Sequence, residues 1–484
     1  MGIFIFSNFI ARSIFLLILS LLLIPASTHL QSSEDGYISV LLSGKGIDFA
    51  KDVLISKAVS TMIPLQLPDI EKSVKIPLIG TVHVLLSNIT IYSVNISSSY
   101  VETGETGIVL VVSGATADLS MKWKYSYRSW IFVISDHGDA SVQVEGMEMG
   151  LTVAIKERGG ALKLSVLDCG CHVKDISVTM DGGASWLYQV MIDAFGGPIG
   201  SAVEQAISKK INEGIVKLDS RLQSLPNQIP VDHAASLNIT FVGNPRLYNS
   251  SIEFVFNGLF TAVDNVSLQS YLHKGAQASC NVQARMTEIS LDESVLNSAS
   301  LVHFNAGYMH WMVDKCSNQS LLNTAAWKYV SPELYIQYPN DNMTLNISIM
   351  SPPVMRILEH AIDATIYLDV TVNVLDAGEI IPVVGVLSII NASCSPQIVG
   401  NNLAGMLKLN NFNVSLKWSK VGDVHMHLVQ SVAFTILETF FIPYINLHLM
   451  KGFPLPLLHG VALQNAEIHY AYSKIMICSN LAIN

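Results

Sequence analysis

The sequence predicts an α+β protein of two similar halves, each a long antiparallel meander followed by a long amphipathic helix. Three observations carry that reading. Apolar residues alternate along both halves at the period of strands with one buried face. A stripe at spacings of three and four closes each set of strands. Between the halves, Pro226, Pro230 and Pro245 interrupt the pattern, as expected where one unit gives way to the next.

The N-terminus comes first. Arg12 and Ser13 precede Ile14–Ile24, apolar apart from Ser20, and Pro25-Ala26-Ser27-Thr28 supplies small residues suited to signal peptidase. Residues 1–28 therefore read as a signal peptide, too short in its apolar run to span a bilayer of about 30 Å. An amphipathic helix carries Ile47, Ala50, Leu54 and Ala58. Val82, Val84 and Leu86, then Ile108, Leu110 and Val112, then Leu151, Val153 and Ile155, then Leu162, Leu164 and Val166 mark strands. A short helical stretch, Trp186 to Phe195, is expected to stop at Gly196-Gly197. A long helix then begins at Pro198, a residue favoured in a first turn, with Ile199, Val203, Ile207, Ile211, Ile215, Leu218 and Leu222 on one face.

The second half repeats the scheme. Asp292 to Phe304 is the counterpart of the first helix, strands fall around Leu345–Ile349, Tyr367–Leu375 and Leu407–Leu416, and a helix runs from about Val424 to Met450. Glu438, Pro443, Asn446 and His448 within that last helix argue for packing against a sheet rather than for a membrane span. The chain thus divides into a unit over 37–226, a linker over 227–249 and a unit over 250–484. A meander covered by a helix makes an open barrel with an apolar slot between the two, a natural ligand site.

Composition says what enters such a slot. Charged residues are 14% of the chain and apolar ones 50%, against roughly a quarter charged in ordinary soluble domains. That surplus fits an apolar guest, and the guest expected is lipid. A net charge of −10 opposes a nucleic-acid partner. Ten N-x-S/T sequons, at Asn88, Asn95, Asn238, Asn249, Asn265, Asn318, Asn342, Asn346, Asn391 and Asn413, fit a secreted glycoprotein. The six cysteines, Cys169, Cys171, Cys280, Cys316, Cys394 and Cys478, then meet an oxidising compartment, with fifteen full pairings open to them. Cys169-Gly170-Cys171 lacks the spacing and further ligands of a zinc site, and no metal is expected.

No catalytic constellation is present: no nucleophile elbow, zinc-protease helix, phosphate loop or dinucleotide fingerprint. Ser43-Gly44-Lys45-Gly46 lacks the Ser or Thr that a phosphate loop needs after its Lys, and reads as a turn before a helix. The sequence therefore predicts a non-enzyme, with no cofactor and with lipid as the expected guest. The most suggestive segment is Met121-Lys-Trp-Lys-Tyr-Ser-Tyr-Arg-Ser-Trp130. In a strand, Lys122, Lys124 and Arg128 share one face and Trp123, Tyr125 and Tyr127 the other. The cations can hold phosphates while Trp123 and Trp130 settle at a headgroup boundary. Three cations near an anionic surface supply about 3 kcal/mol, enough to orient but not to anchor. The plainer reading is a hairpin with one solvated face and one packed face.

These residues bring a resemblance into view. Val40-Leu-Leu-Ser-Gly-Lys-Gly-Ile-Asp-Phe-Ala50, Leu67-Pro-Asp-Ile70, Lys122-Trp-Lys124, Val144-Glu-Gly-Met147, Asp168-Cys-Gly-Cys171 and Lys451-Gly-Phe-Pro-Leu-Pro456 occur in this order. The chain resembles the bactericidal/permeability-increasing and lipopolysaccharide-binding proteins over its whole mature length, and the Cys-Gly-Cys variant is similar to plant members. The resemblance implies an elongated boomerang of two barrels joined by a central sheet, placed here with the linker over 227–249, each barrel holding a phospholipid in an apolar tunnel. It implies a secreted protein of innate defence that binds lipopolysaccharide and other anionic lipids, with transient membrane-surface contact. The implied headgroup positions are Lys122, Lys124 and Arg128, with Lys72 and Lys75 after Leu67-Pro-Asp-Ile70. A transfer or carrier protein for phospholipid, sterol ester or another lipid, without a defence role, is the alternative.

Two departures from the family pattern matter. The N-terminal half, with 16 Lys and Arg against 19 Asp and Glu, lacks the cationic surplus of the bactericidal relatives. The family's N-terminal disulfide ends on the long helix, which here has no Cys, so Cys169 and Cys171 either pair with each other or stay free.

Overall fold

The computed structural model describes residues 36–484 apart from 105–106, 183–184, 263–279, 281–283, 315–318, 459 and 484. The expected signal peptide, Cys316 and the sequon residues Asn265 and Asn318 lie outside the described residues.

Strand β1 (Ile38–Ser43) runs directly into helix α1 (Gly44–Met62), where the Ser43 hydroxyl accepts the Gly46 amide at 3.3 Å as an N-cap. The meander follows as β2 (Leu65–Gln66), β3 (Ile70–Ile76), β4 (Gly80–Asn95), β5 (Ser98–Gly104), β6 (Gly107–Arg128), β7 (Val133–Arg158), β8 (Ala161–His172) and β9 (Asp175–Met180). Its hydrogen-bonded order is β2-β4-β6-β7-β8, with β3 on β4, β5 on β6 and β9 on β7. The sheet is open: among the described residues no strand pairing returns to the start, and the expected barrel is closed by helix, not by a ring of strands.

Alternation sets the inner face of this sheet. Val82, Val84 and Leu86 point inward; a bulge at Asn88, with φ of 51°, then switches the parity so that Ile89 and Ile91 continue the same buried row. Helix α2 (Ser185–Gln223) lies on that face through Phe195, Ile199, Val203 and Ile207, all buried. It is one helix of 39 residues with Pro198 inside it. The break expected at Gly196-Gly197 does not occur, because packing of Phe195 and Ile199 on either side outweighs the local preference of Gly and Pro.

Next come β10 (Gln228–Pro230), β11 (Ala235–Asn238), β12 (Arg246–Tyr248), β13 (Ser251–Phe256), β14 (Phe260–Ala262) and β15 (Thr287–Asp292). Then α3 (Glu293–Asn305) starts from Asp292, whose carboxylate accepts the Ser294 amide at 2.9 Å. The C-terminal sheet contains β16 (His310–Val313) and, after a short helix α4 (Pro332–Gln337), β17 (Asn342–Ile349), β18 (Val354–Ile357), β19 (Ile362–Asp376), β20 (Glu379–Val399), β21 (Asn402–Ser419) and β22 (Phe453–Pro454). Its order is β16-β17-β19-β20-β21-β22, with β18 on β19.

Across this second sheet lie α5 (Met426–Ile436), a π-helical turn over Leu437–Phe441, and α6 (Ile442–Leu449). Together they are long and apolar enough to cross a membrane by length and composition. Their packing on the sheet is nonetheless definite. Val429, Ile436 and Phe441 are buried, and Asn446 donates to the Leu407 carbonyl at 3.0 Å while accepting its amide at 2.7 Å. The polar residue that argued against a span is thus the peg that docks the helix on β21.

Strands β23 (Val461–Ala471) and β24 (Lys474–Ile483) complete a central sheet of order β12-β13-β1-β15-β24-β23. The 227–249 stretch contributes only β12 to it. At its middle β1 and β15 run antiparallel, Val40 opposite Ile289, so the strand-cap-helix opening of each half lies beside that of the other. A disulfide joins Cys280 to Cys478 on β24, Cα–Cα 6.2 Å. A matching device recurs in both flanking sheets: Trp123 covers Gly138 across β6 and β7, and Trp418 covers Gly385 across β20 and β21.

Candidate functional site

Two hairpin turns meet at one end of the N-terminal sheet. Between β3 and β4, Leu78 stands fully exposed with φ of 73°, a left-handed conformation that costs a leucine energy and suits glycine or asparagine better. Between β6 and β7, where the Ser129 amide closes on the Phe132 carbonyl at 2.8 Å, Trp130 is 98%, Ile131 72%, Phe132 70% and Val133 65% exposed. The turns are neighbours because β3 pairs with β4 from Ile76 opposite Gly80, and β4 with β6 from Val82 opposite Tyr127. Turns are ordinarily polar. Neither folding nor solubility calls for five apolar side chains here.

Behind this apolar tip the outer face of the sheet carries the cations. Lys122, Lys124 and Arg128 are exposed, and Lys75 lies outward on β3. His83, its Nδ1 2.7 Å from the Ser73 hydroxyl, and His137, opposite Lys124, share that face. Two acids temper it: Asp139 stands directly across from Lys122, and exposed Glu71 lies outward on β3, opposite Leu85, which is itself opposite Lys124.

Two of the expected headgroup residues are elsewhere. Trp123 is 1% exposed in the core, its indole N–H donating to the Asp139 carbonyl at 3.1 Å. It is not available at a surface, and only Trp130 can take the boundary role foreseen for both. Its ring instead begins an inner-face ladder, stacked on Tyr125 at 5.9 Å, with Tyr125 on Tyr127 at 6.3 Å. Lys72 also lies on the inner side, opposite Val84, and donates to the Ala194 carbonyl of α2 at 2.9 Å. Pro198 has no N–H to give that carbonyl, so the ammonium supplies the missing donor. Lys72 and Lys75, an odd number of residues apart, end on opposite faces.

The second half holds an apolar cavity of about 70 Å³ between sheet and helix. Trp327, Leu345, Leu368, Val386, Val429 and Phe441 line it, and Ser388 is the polar residue in its wall. Pockets that enclose a small molecule start at roughly 300 Å³. Acyl chains would therefore have to part helix from sheet to enter.

Two family models match the chain nearly end to end: LBP / BPI / CETP family, N-terminal domain, over residues 46–225, and LBP / BPI / CETP family, C-terminal domain, over residues 230–481. The chain belongs to the LBP/BPI/CETP family. A putative BPI/LBP family protein of Arabidopsis thaliana is 50% identical over 473 residues, 97% of this chain and 96% of that one. The lipopolysaccharide-binding protein of Homo sapiens is 26% identical over 478 residues, 96% of this chain and 97% of its own. The crystal structure of a lipopolysaccharide binding protein matches with a TM-score of 0.65 at 19% identity, covering 93% of this chain and 99% of that chain. The fold of the LBP/BPI/CETP family, two antiparallel-sheet domains with helices on them, is thereby shared.

In this family member Cys169 and Cys171 are free and half-buried on β8. Burial, then Glu204 and Cys169 beside it, pushes the Cys171 thiol up to about 12, so it stays protonated rather than acting as a thiolate. Of the eight described sequon asparagines, Asn88, Asn95, Asn249, Asn342, Asn346, Asn391 and Asn413 are exposed. Asn238 is half-buried, accepting from the Thr240 hydroxyl at 2.7 Å.

The sequence reading missed Leu78 and Ile131–Val133. A signal was present in both: Pro77-Leu78-Ile79 and Trp130-Ile-Phe-Val133 are apolar where hairpin turns are expected.

Proposed function

We propose that this chain is a secreted, glycosylated lipid-binding protein that recognises lipopolysaccharide, or another anionic glycolipid, at the tip of its N-terminal sheet and serves innate defence. The observation that carries the reading is the tip itself: exposed Trp130–Val133 and strained Leu78, with Lys122, Lys124, Arg128 and Lys75 behind them. Apolar turns suit acyl chains and an interfacial Trp, while cations set back from the apex suit phosphates. The relatives named for lipopolysaccharide binding support the choice of glycolipid. Changing Lys122, Lys124 and Arg128 together to Ala is expected to weaken lipid A binding by about 3 kcal/mol, on the order of a hundredfold, with a shallower salt dependence. Equal affinity in titration calorimetry would remove these cations from the account.

The apolar cavity under α5 and α6 favours a second reading, a carrier that moves phospholipid between membranes without hydrolysing it. Native mass spectrometry of the secreted protein decides it. One or two retained phospholipids support carriage; a lipid-free protein that also takes up none from vesicles opposes it.

A further inference from the structure

We infer that Lys72 and the Gly196-Gly197-Pro198 stretch of α2 form a charge-released hinge: an anionic headgroup that captures the Lys72 ammonium frees the helix segment before Pro198 to swing from the sheet and admit an acyl chain. The inference rests on the lipid-binding reading and adds to it the step by which lipid enters the N-terminal half.

Four observations place the hinge. Pro198 deprives the Ala194 carbonyl of its helical donor, and Lys72 replaces that donor from 122 residues away at 2.9 Å. The bond is exposed, so a competing anion reaches it. Gly196 and Gly197 precede the proline, and a Cβ built on either meets nothing within 4 Å. Packing therefore does not require glycine there, and what two mid-helix glycines beside a proline give is a weak point in the helix.

The last observation is what the segment covers. Phe195 and Ile192 pack on the core of the N-terminal sheet, and Lys72 stands opposite Val84, itself opposite Tyr125. The moving segment thus covers the core beside the Trp123-Tyr125-Tyr127 ladder, which runs from the core toward the apolar tip. Beyond the hinge, Ile199, Val203 and Ile207 keep the rest of α2 seated. Swinging out withdraws Phe195, and an acyl chain refills the apolar space it leaves. About 20 Å of strand separates Lys72 from Leu78. The headgroup that meets Lys72 is accordingly that of the lipid being drawn in, not of a bilayer touching the tip.

The test uses the full-length secreted protein and phosphatidylcholine vesicles carrying a trace of fluorescent phosphatidylglycerol or fluorescent phosphatidylcholine. Wild-type protein is expected to take up the anionic probe faster than the zwitterionic one. Lys72→Met should erase that preference by raising phosphatidylcholine uptake to the phosphatidylglycerol rate, and Lys72→Arg should restore it. The double variant G196A/G197A, which introduces no clash, should bind vesicles as wild type does and take up both probes at least about tenfold more slowly, the ratio that helix propensity at two positions supplies. Hydrogen exchange over 189–197 should slow in the double variant and quicken in Lys72→Met. Wild-type uptake rates in the double variant, or a preference that survives Lys72→Met, would overturn the hinge while leaving lipid uptake intact. No uptake of either probe by wild type would instead remove the lipid-carrying reading on which the hinge stands.

Discussion

Trp123 shows how one residue type serves two ends in a single strand. Alternation along β6 placed it opposite in sense to Lys122 and Lys124, and that much was legible in the sequence. Its partner was not, because Gly138 becomes its neighbour only through the β6–β7 register. A Cβ at Gly138 would come within 2.6 Å of the Trp123 ring. Gly138→Ala is therefore expected to cost about 1–3 kcal/mol, read as a lowered midpoint in urea unfolding. Trp130 is the opposite case. Fully in solvent, it contributes nothing to the fold, so changing Trp130 and Phe132 together to Ser should leave thermal stability unchanged and reduce binding to anionic vesicles at least about tenfold, as the loss of one or two apolar anchors implies. Undiminished co-sedimentation would take the apolar turn out of the site. Lys72 was illegible for a different reason: its partner is an orphaned carbonyl, and nothing in the residues near Lys72 announces a proline 126 positions later.

At the scale of elements, periodicity located the long helices and most long strands but not β20, whose 21 residues lie between two strands it did place, and it misjudged what interrupts them. Gly196-Gly197-Pro198 is a stop signal by local rules, and α2 runs through it because Phe195 and Ile199 bury on one continuous face. In α5 and α6 the polar residues were read as placing the helix against a sheet, where it lies, yet the physical reason emerges only from contact with β21. Asn446→Leu should leave the Leu407 amide and carbonyl unpaired and cost about 1–3 kcal/mol despite adding apolar area. A midpoint equal to wild type in thermal unfolding would mean that water takes over both bonds. The link between α3 and the β10–β11 turn gives a pH signature. Burial alone would raise the Asp232 carboxyl, but its bond to His303 at 2.7 Å and the backbone amides of Ala234 and Ala235 outweigh this and hold it below its ordinary value. A depressed carboxyl adds stability that is present above its unfolded value near 3.8 and is lost as pH falls through the folded one. Asp232→Asn is accordingly expected to lower stability at neutral pH and flatten its decline in acid, as followed by circular dichroism; parallel curves for the two proteins would refute this.

The whole molecule is one architecture used twice, and the duplication was legible because it lies in pattern, not identity. Each half has its own helix start from a capped central strand, its own meander, its own Trp laid over a Gly and its own covering helix. The sheet that joins them was expected from the resemblance but misplaced in the linker, since its strands come from both ends and the middle of the chain. The Cys280–Cys478 disulfide ties that sheet across a separation of 198 residues. Replacing both cysteines by Ser is expected to cost about 2–5 kcal/mol in a denaturant titration; a smaller loss would show that the central sheet holds without it.

The central placement of β1 also governs the order in which the protein comes into being. This strand is among the first described residues to be synthesised, yet its two neighbours are Ser251–Phe256 and Thr287–Asp292. At about 5–20 residues per second, some 250 residues take tens of seconds to follow. Throughout that interval Ile38, Val40 and Leu42 are an apolar strand with neither edge paired, a template for the wrong partner. An N-terminal half expressed alone carries that unmatched strand permanently.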